Sequence, residues 1–342
     1  VGSEMCIRDR YRNWLIQIVP AVELAAVLLL LLWPAADLTL PGICGVGLHL
    51  QAGSLKSLLA LVSAFLWAAT GLNCPSYFAS AEGCNRFYLF WLMTLGALMG
   101  VFLAADLFTL FVFFEMMSFT SYVWVAQNET KEALRAGQTY LAVAVIGGMA
   151  LLAGLVLLQH LLGTLEFAEM AAAVSALPEE RRTALYVAGG LALAGFGAKA
   201  GMFPLHIWLP KAHPVAPAPA SALLSGILTK SGVFGILILS RYLFWTELSW
   251  STVILALGVV TMVLGAVLAL FSVDLKRTLA CSSMSQIGFI LVGVAMQGLL
   301  GHENALAAWG TALHMLNHSL IKLVLFVAAG VIYLGTHSLS LN

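Results

Sequence analysis

Charged residues are scarce in this sequence. Asp, Glu, Lys and Arg make up only 9% of the 342 residues, hydrophobic residues make up 61%, and the mean hydropathy is +0.97. A soluble globular domain carries about 25% charged residues, so this composition excludes one. The charges of the 16 basic and 16 acidic residues cancel, so the chain has no net positive charge that would attract nucleic acid. We therefore expect a lipid bilayer, and no nucleic acid, as the surroundings of the chain.

Cysteine is also scarce. The five cysteines include no C-x-x-C pair, so the sequence predicts neither an iron–sulfur cluster nor a zinc site. We interpret most of them as small apolar residues within helices. They are Cys6, Cys44, Cys74, Cys84 and Cys281.

Long apolar runs dominate what is present. A transmembrane helix needs about 20 predominantly apolar residues, and about ten such stretches can be identified. The alternating pattern of a membrane barrel is missing, and backbone groups in lipid must be paired internally, so we predict an all-α, polytopic transmembrane helix bundle. The predicted spans are 14–34, 55–72, 87–105, 107–126, 140–159, 184–199 with a broken continuation, 220–242, 252–271, 279–297 and 305–334.

Three polar segments complete the organisation. The first ten residues, VGSEMCIRDR, differ in composition from the rest and are expected to be an artefact or tag, which leaves 11–342 as one transmembrane domain. The stretch LEFAEMAAAVSALPEERR, between His160 and Thr183, predicts a short amphipathic helix on the membrane surface. Lys and Arg are more numerous on one side of the predicted spans, which should be cytoplasmic. That side carries Arg12, Arg86, Lys131, Arg135, Lys211, Lys276 and Arg277, and the other carries Lys56, Arg181, Arg182 and Arg241.

Proline is concentrated in one place. Five of the ten prolines lie between Pro204 and Pro219, in MFPLHIWLPKAHPVAPAPA. Such a run breaks a helix, and the freed backbone groups need partners in protein or in a water-filled cavity, as at the ion paths of transporters. The alternative is a re-entrant or surface loop between two ordinary spans.

One acid lies deep in an apolar run. Glu115 is the only charge between Asp106 and Glu129, and an isolated carboxylate at mid-membrane costs about 2.5–3.5 kcal/mol. It therefore needs a partner or a function, and the alternative to a functional role is a purely structural ion pair. Asp106 lies about half a turn out of phase with Glu115, so we interpret it as an interfacial or capping acid.

Two lysines lie in apolar helices. Lys199 ends the run ALYVAGGLALAGFGAK, and Lys230 lies within ASALLSGILTKSGVFGILIL. Burial favours the neutral amine, which a proton-exchanging lysine requires. For Lys199 the alternative is a lysine at a helix end that reaches the lipid headgroups. Near Lys230, the residues Ser221, Ser225 and Thr229 recur every four positions, and they could satisfy helix carbonyls or line a wet path.

A third group lies in the last span. His314, His318 and Lys322 recur every four residues in LHMLNHSLIKLVLF, so they share one helix face over about 12 Å. We interpret them as a proton relay. A metal site is the alternative, but no acidic or thiolate third ligand lies nearby in sequence.

Several motifs in fixed order carry a resemblance to a known family. They are FFEMMS at Glu115, KAGMFPLHIWLPKAH from Lys199, SALLSGILTKSG at Lys230, DLKRTLACSSMSQIG from Asp274 and HMLNHSLIK from His314. From Trp14 to Asn342 the chain resembles the antiporter-like subunits shared by complex I (NADH:quinone oxidoreductase), the Mrp-type cation/proton antiporters and the membrane-bound hydrogenases.

The resemblance implies a role for each buried charge. Glu115 and Lys199 would form the input pair, Lys230 would pass the proton inward, and the trio in the last span would form the central connection. It also implies a fold of fourteen spans in two inverted repeats, of which this chain would be a fragment truncated at both ends. Where many relatives have tyrosine this chain has Cys281, so the hydroxyl is missing there.

The predicted function is that of a non-catalytic, proton-pumping subunit of an NADH:quinone oxidoreductase-type translocase in a bacterial or archaeal membrane. Its expected partners are other membrane subunits, with protons or sodium as the ion. We predict no catalytic residue, cofactor or metal in this chain. The alternatives are a subunit of a multisubunit cation/proton antiporter or hydrogenase, a self-sufficient solute transporter, and a quinone-binding redox enzyme.

Overall fold

The structure is a computed structural model that describes residues 2–33, 35–43, 46–79, 83–301 and 305–341, with side chains from residue 11 onward. It is a helical bundle with ten helices long and apolar enough to cross a membrane within these ranges. The predicted bundle of about ten spans is confirmed. The predictions for Cys6 and Cys44 and the predicted limits at Val1, Pro34 and Asn342 fall outside the described residues or side chains.

The helices follow the apolar runs and begin at the expected caps. Asp106 accepts a hydrogen bond from the Thr109 amide at 2.7 Å, which confirms it as a capping acid. Asp274 caps a later helix in the same way. In the first half the helices are α1 (Gly2–Leu30), α2 (Ser54–Tyr77), α3 (Cys84–Leu103), α4 (Leu107–Ala126), α5 (Lys131–Leu162) and α6 (Phe167–Ser175). In the second half they are α7 (Arg182–Ala200), α8 (Leu209–Val215), α9 (Ala218–Leu223), α10 (Thr229–Tyr242), α11 (Leu248–Leu270), α12 (Leu275–Leu299) and α13 (Ala305–Thr336).

A short β-hairpin was not predicted. Strands β1 (Asp37–Leu40) and β2 (Leu48–Gln51) pair antiparallel between α1 and α2. His49 fastens the hairpin to the bundle, because its amide donates to the Thr109 hydroxyl on α4 at 2.9 Å. The strands DLTL and LHLQ both alternate polar and apolar residues, so the sequence carries a strand signal here, at the shortest length at which such a pattern is informative.

The amphipathic segment forms the predicted short helix. Phe167 and Met170 of α6 are buried, and the Phe167 ring stacks on Tyr242 of α10 at 5.6 Å between centroids. The end of the bundle that carries the hairpin and α6 also holds Lys56 and Arg241, two of the cations assigned to the non-cytoplasmic side. We call this end the hairpin end.

The bundle is centred on α9 and α10, which are almost entirely buried, whereas α11 and α13 leave most of their surface outside. The helix from Ala218 to Tyr242 is continuous but contains a π-helical turn at Leu224–Leu228. Such turns frequently mark functional sites. Cys74, Cys84 and Cys281 are buried, as expected of small apolar residues.

Candidate functional site

Glu115 lies on α4 with one carboxylate oxygen buried and without a hydrogen-bond partner. Its carboxylate packs against the backbone of α5 at Gly148, where an added Cβ would lie 2.5 Å from Oε1. The absence of a side chain at Gly148 therefore creates the space that the carboxylate occupies. Within the described chain no ion pair involves Glu115, so nothing supports the alternative of a structural ion pair.

Lys199 lies near this acid, held by hydroxyl groups. Its Nζ donates to Ser118 Oγ at 3.0 Å and to Tyr140 OH at 2.7 Å, and the side chain is only 5% exposed. Ser118 lies one turn after Glu115 on the same face of α4, so Lys199 is held at the face of α4 that carries Glu115. Their proposed interaction is not a direct ion pair in this conformation and stays a prediction.

The helix break explains why Lys199 remains inside the protein. Gly201, the residue that caps the end of α7, has the left-handed conformation with φ of +76°. Glycine adopts this conformation without strain. The chain then turns into a 3₁₀ segment whose Trp208 indole donates to the Ala198 carbonyl at 2.7 Å. The break lies inside one candidate span, which favours a broken membrane helix over a surface loop. Lys199 is hydrogen-bonded within the bundle rather than extended to the headgroups.

Lys230 is fully buried at the start of α10, immediately after the π-helical turn. Its Nζ donates to the Ser225 carbonyl at 2.7 Å, so the lysine folds back along its own helix. The three hydroxyls that recur every four positions before Lys230 have different partners. Thr229 donates to the Ser225 carbonyl, Ser221 to the His213 carbonyl, and Ser225 contacts a hydroxyl on α12.

A series of polar contacts, in which Ser225 takes part through both its carbonyl and its hydroxyl, lies between Lys230 and Lys322. Ser225 Oγ lies 2.5 Å from Ser283 Oγ on α12, and Ser283 donates to the Leu279 carbonyl at 2.8 Å. Lys322 on α13 donates to that same carbonyl at 2.9 Å and to Ser282 Oγ at 3.0 Å. The two lysines are therefore connected through polar groups of α12 and of the π-helical turn.

The trio on α13 shares one face, as predicted. His318 and Lys322 are buried, and His314 is half-buried. Both ring nitrogens of His318 and Nε2 of His314 are buried without hydrogen-bond partners. Within the described residues no group of three His, Cys, Asp or Glu side chains could hold a metal ion.

Three further residues in this region were not predicted from the sequence. Tyr140 bonds both Lys199 and Ser121, and a hydroxyl in an otherwise apolar run was the available signal. His213 is fully buried on α8 with both ring nitrogens unpartnered and stacks on Phe326 at 4.9 Å. Lys276, counted from the sequence among the basic residues of the cytoplasmic side, is 4% exposed and donates to the Ala216 carbonyl at 2.7 Å.

Comparison with known proteins identifies related membrane subunits. Residues 104–342 match the family described as "NADH:quinone oxidoreductase/Mrp antiporter, TM". The chain is 36% identical over 307 residues to a hydrogenase-4 component of Escherichia coli, an alignment that covers 85% of this chain and 44% of that protein. It is 30% identical over 340 residues to a Na(+)/H(+) antiporter subunit from Alkalihalophilus pseudofirmus, covering 96% of this chain and 67% of that protein.

A solved structure shares the fold. The Mrp complex from Dietzia sp. DQ12-45-1b contains a chain that superposes with a TM-score of 0.82 at 25% sequence identity, covering 96% of this chain and 61% of that one. This chain thus spans less than half of the hydrogenase relative and about two thirds of the antiporter relative. From the match over residues 104–342 and from these relatives, the chain belongs to the NADH:quinone oxidoreductase/Mrp antiporter family of transmembrane subunits.

Proposed function

We propose that this chain carries protons across a bacterial or archaeal membrane as a non-catalytic subunit of a multisubunit complex. One observation carries the proposal. Lys199, Lys230 and Lys322 are buried inside membrane helices, their partners are hydroxyls and carbonyls, and the described chain gives none of them an ion pair. An uncompensated ammonium is costly in hydrocarbon, so each site is suited to hold a proton transiently.

The proposed order of transfer is the one that the family resemblance implies. Glu115 and Lys199 form the input, with Ser118 bonded to the lysine and one turn from the acid, and Lys230 follows on α10, which packs against α7. The serine contact between Ser225 and Ser283 supports a connection from there to Lys322, with His318 and His314 one and two turns before it on α13. Water in the gaps between these groups would complete the transfer, because carbonyl oxygens accept but do not donate protons.

The relatives support assembly into a larger complex. Their names describe a hydrogenase component and an antiporter subunit, and the matched structure is a complex. A partner subunit would supply the driving reaction. The antiporter relative, which aligns with 96% of this chain, favours cation/proton exchange as the second candidate function.

The proposal is tested with Glu115→Gln in inverted membrane vesicles that contain the assembled complex. This change keeps the shape of the side chain and removes its titratable charge, so we expect proton pumping to fall at least tenfold with normal assembly. The matched control is Glu132→Gln, which alters an exposed acid in the first turn of α5 and should leave pumping unchanged. Wild-type pumping by the Glu115 variant would refute the assignment.

The same vesicles separate the candidate functions. Proton pumping that is independent of sodium favours the respiratory role, whereas proton flux that requires an imposed sodium gradient favours the antiporter. Coupled solute uptake by the purified chain alone would favour the solute transporter instead.

A further inference from the structure

Two adjacent cavities lie between α2, α10 and α13 at the hairpin end of the bundle. The first has a volume of about 430 Å³, and its wall is apolar, with Leu55, Leu58, Ala312 and Met315 among its residues. The second has a volume of about 460 Å³ and a more polar wall. Both are lined by Leu55, Leu237 and Ala308, so the two cavities adjoin, and together we call them the outer groove.

The polar part of the outer groove has an excess of positive charge. Lys56 and Arg241 both line it, and neither forms an ion pair in the described chain. Each lies over an aromatic face instead, Lys56 Nζ at 5.3 Å from the Phe167 centroid and Arg241 Cζ at 4.7 Å from that of Trp245.

The nearby acids are engaged elsewhere. Glu166 also lines the groove, but its carboxylate binds His49 at 2.9 Å, and Asp37 binds the other ring nitrogen of His49 at 3.0 Å. Asp106 caps α4. These three carboxylates act on Lys56 only at longer range, so the polar mouth can still accept an anion.

We propose that the outer groove binds one anionic phospholipid, with an acyl chain in the apolar cavity and the phosphate between Lys56 and Arg241. An apolar slot that continues into a pair of cations without ion-pair partners is complementary to an amphipathic anion. Basic pockets between membrane helices bind anionic headgroups in this way, and an aromatic side chain such as Tyr242, which lines the mouth, is typical of headgroup depth. A neighbouring helix would fill the apolar slot without neutralising the two cations.

The test is native mass spectrometry of the full chain in detergent, titrated with phosphatidylglycerol or with phosphatidylcholine of the same acyl chains. We expect phosphatidylglycerol to bind at least tenfold more tightly. The double variant Lys56→Gln with Arg241→Gln should lose that preference. The control double variant Lys131→Gln with Arg135→Gln removes the same amount of charge from the opposite end of the bundle. It should keep the preference for phosphatidylglycerol. Equal binding of the two lipids, or equal loss in both double variants, would overturn the proposal.

Two further measurements identify the occupant. Ala312→Trp should fill the apolar cavity and weaken phosphatidylglycerol binding at least fivefold, whereas Val331→Trp on the exposed face of the same helix should not. A photoreactive benzoylphenylalanine in place of Ala312, irradiated in native membranes, should gain the mass of a phospholipid. Crosslinking to a polypeptide would assign the groove to a partner helix, and displacement of the lipid by inorganic phosphate alone would show that the acyl chain adds nothing; either result would overturn the proposal.

Discussion

At the scale of single residues, the environment of Glu115 depends on a residue that has no side chain. Gly148 leaves room for the carboxylate, and a methyl group there would overlap Oε1. Overpacking of this kind costs about 1–3 kcal/mol, and displacement of the carboxylate relieves it. The acid is therefore positioned by α5 as much as by its own helix.

We expect Gly148→Ala to reduce proton pumping nearly as much as Glu115→Gln, although every titratable group remains. The measurement is pumping in vesicles, normalised to the amount of assembled subunit. Gly190→Ala on α7 is the control, because nothing lies within 4 Å of its added Cβ. Normal pumping by the Gly148 variant would mean that the position of the carboxylate is not critical.

The contact between Ser225 and Ser283 gives a second prediction at this scale. A hydrogen bond contributes about 0.5–1.5 kcal/mol net, and two residues in contact should show a coupling energy. We expect the two Ser→Ala changes to be non-additive in thermal stability by about 1 kcal/mol, and each to slow proton transfer. Ser231→Ala is the control, since that hydroxyl bonds only the Leu228 carbonyl of its own helix. Additive effects would show that the two hydroxyls act independently.

At the scale of elements, His49 joins the hairpin to the segment that begins α6. Its ring contacts Glu166 through Nδ1 and Asp37 through Nε2. A neutral imidazole has one N–H and cannot donate to both carboxylates, whereas the imidazolium can. Partial burial lowers the pKa of His49, but the hydrogen bonds and charges of Glu166 and Asp37 outweigh it, so the pKa lies above its ordinary 6.5.

The raised pKa fixes the direction of the pH dependence. The stabilisation is complete below the unfolded pKa of 6.5 and is lost as pH rises through the higher folded pKa. Hydrogen exchange of the β1 and β2 amides, corrected for the intrinsic rate, should therefore show more protection near pH 6 than near pH 9. His49→Gln should abolish the difference, and a difference that persists in this variant would assign the effect to other groups.

The elements also show which features a sequence can predict. Spans, caps and the shared face of His314, His318 and Lys322 follow from local composition and the helical period. The hairpin carries only the minimal alternation of DLTL and LHLQ, and the π-helical turn LSGIL has no composition that distinguishes it from the helix around it. Ser225 was noted for its spacing, but its partner Ser283 on α12 was not.

At the scale of the whole molecule, the contacts between distant segments could not be predicted. Tyr140 and Gly148 on α5 meet Lys199 and Glu115 only because α4, α5 and α7 pack together. No periodicity within one helix specifies which neighbour it faces. The family resemblance assigned Glu115 to Lys199 but gave no indication that Ser118 and Tyr140 hold the lysine.

The orientation of the molecule can be tested directly. The excess of Lys and Arg predicts that the end carrying Lys131 is cytoplasmic and that the hairpin end is not. In a variant whose cysteines are replaced by alanine, Lys131→Cys should react with a membrane-impermeant maleimide in inverted vesicles, and Arg181→Cys in intact cells. Both positions are exposed. The reverse labelling pattern would invert the assignment.

The π-helical turn at Leu224–Leu228 has a consequence for how this sequence tolerates changes in length. An α-helix advances about 100° per residue, and a π-helical turn corresponds to one inserted residue. Deletion of one residue from this segment would restore a regular helix and leave Lys230 facing nearly the same direction relative to Ser221, whereas a regular helix with the same number of residues would rotate Lys230 by about 100°. The residue count between the proline break and Lys230 therefore does not by itself fix where the lysine points, and an alignment that opens a one-residue gap at this turn still compares lysines that point in the same direction.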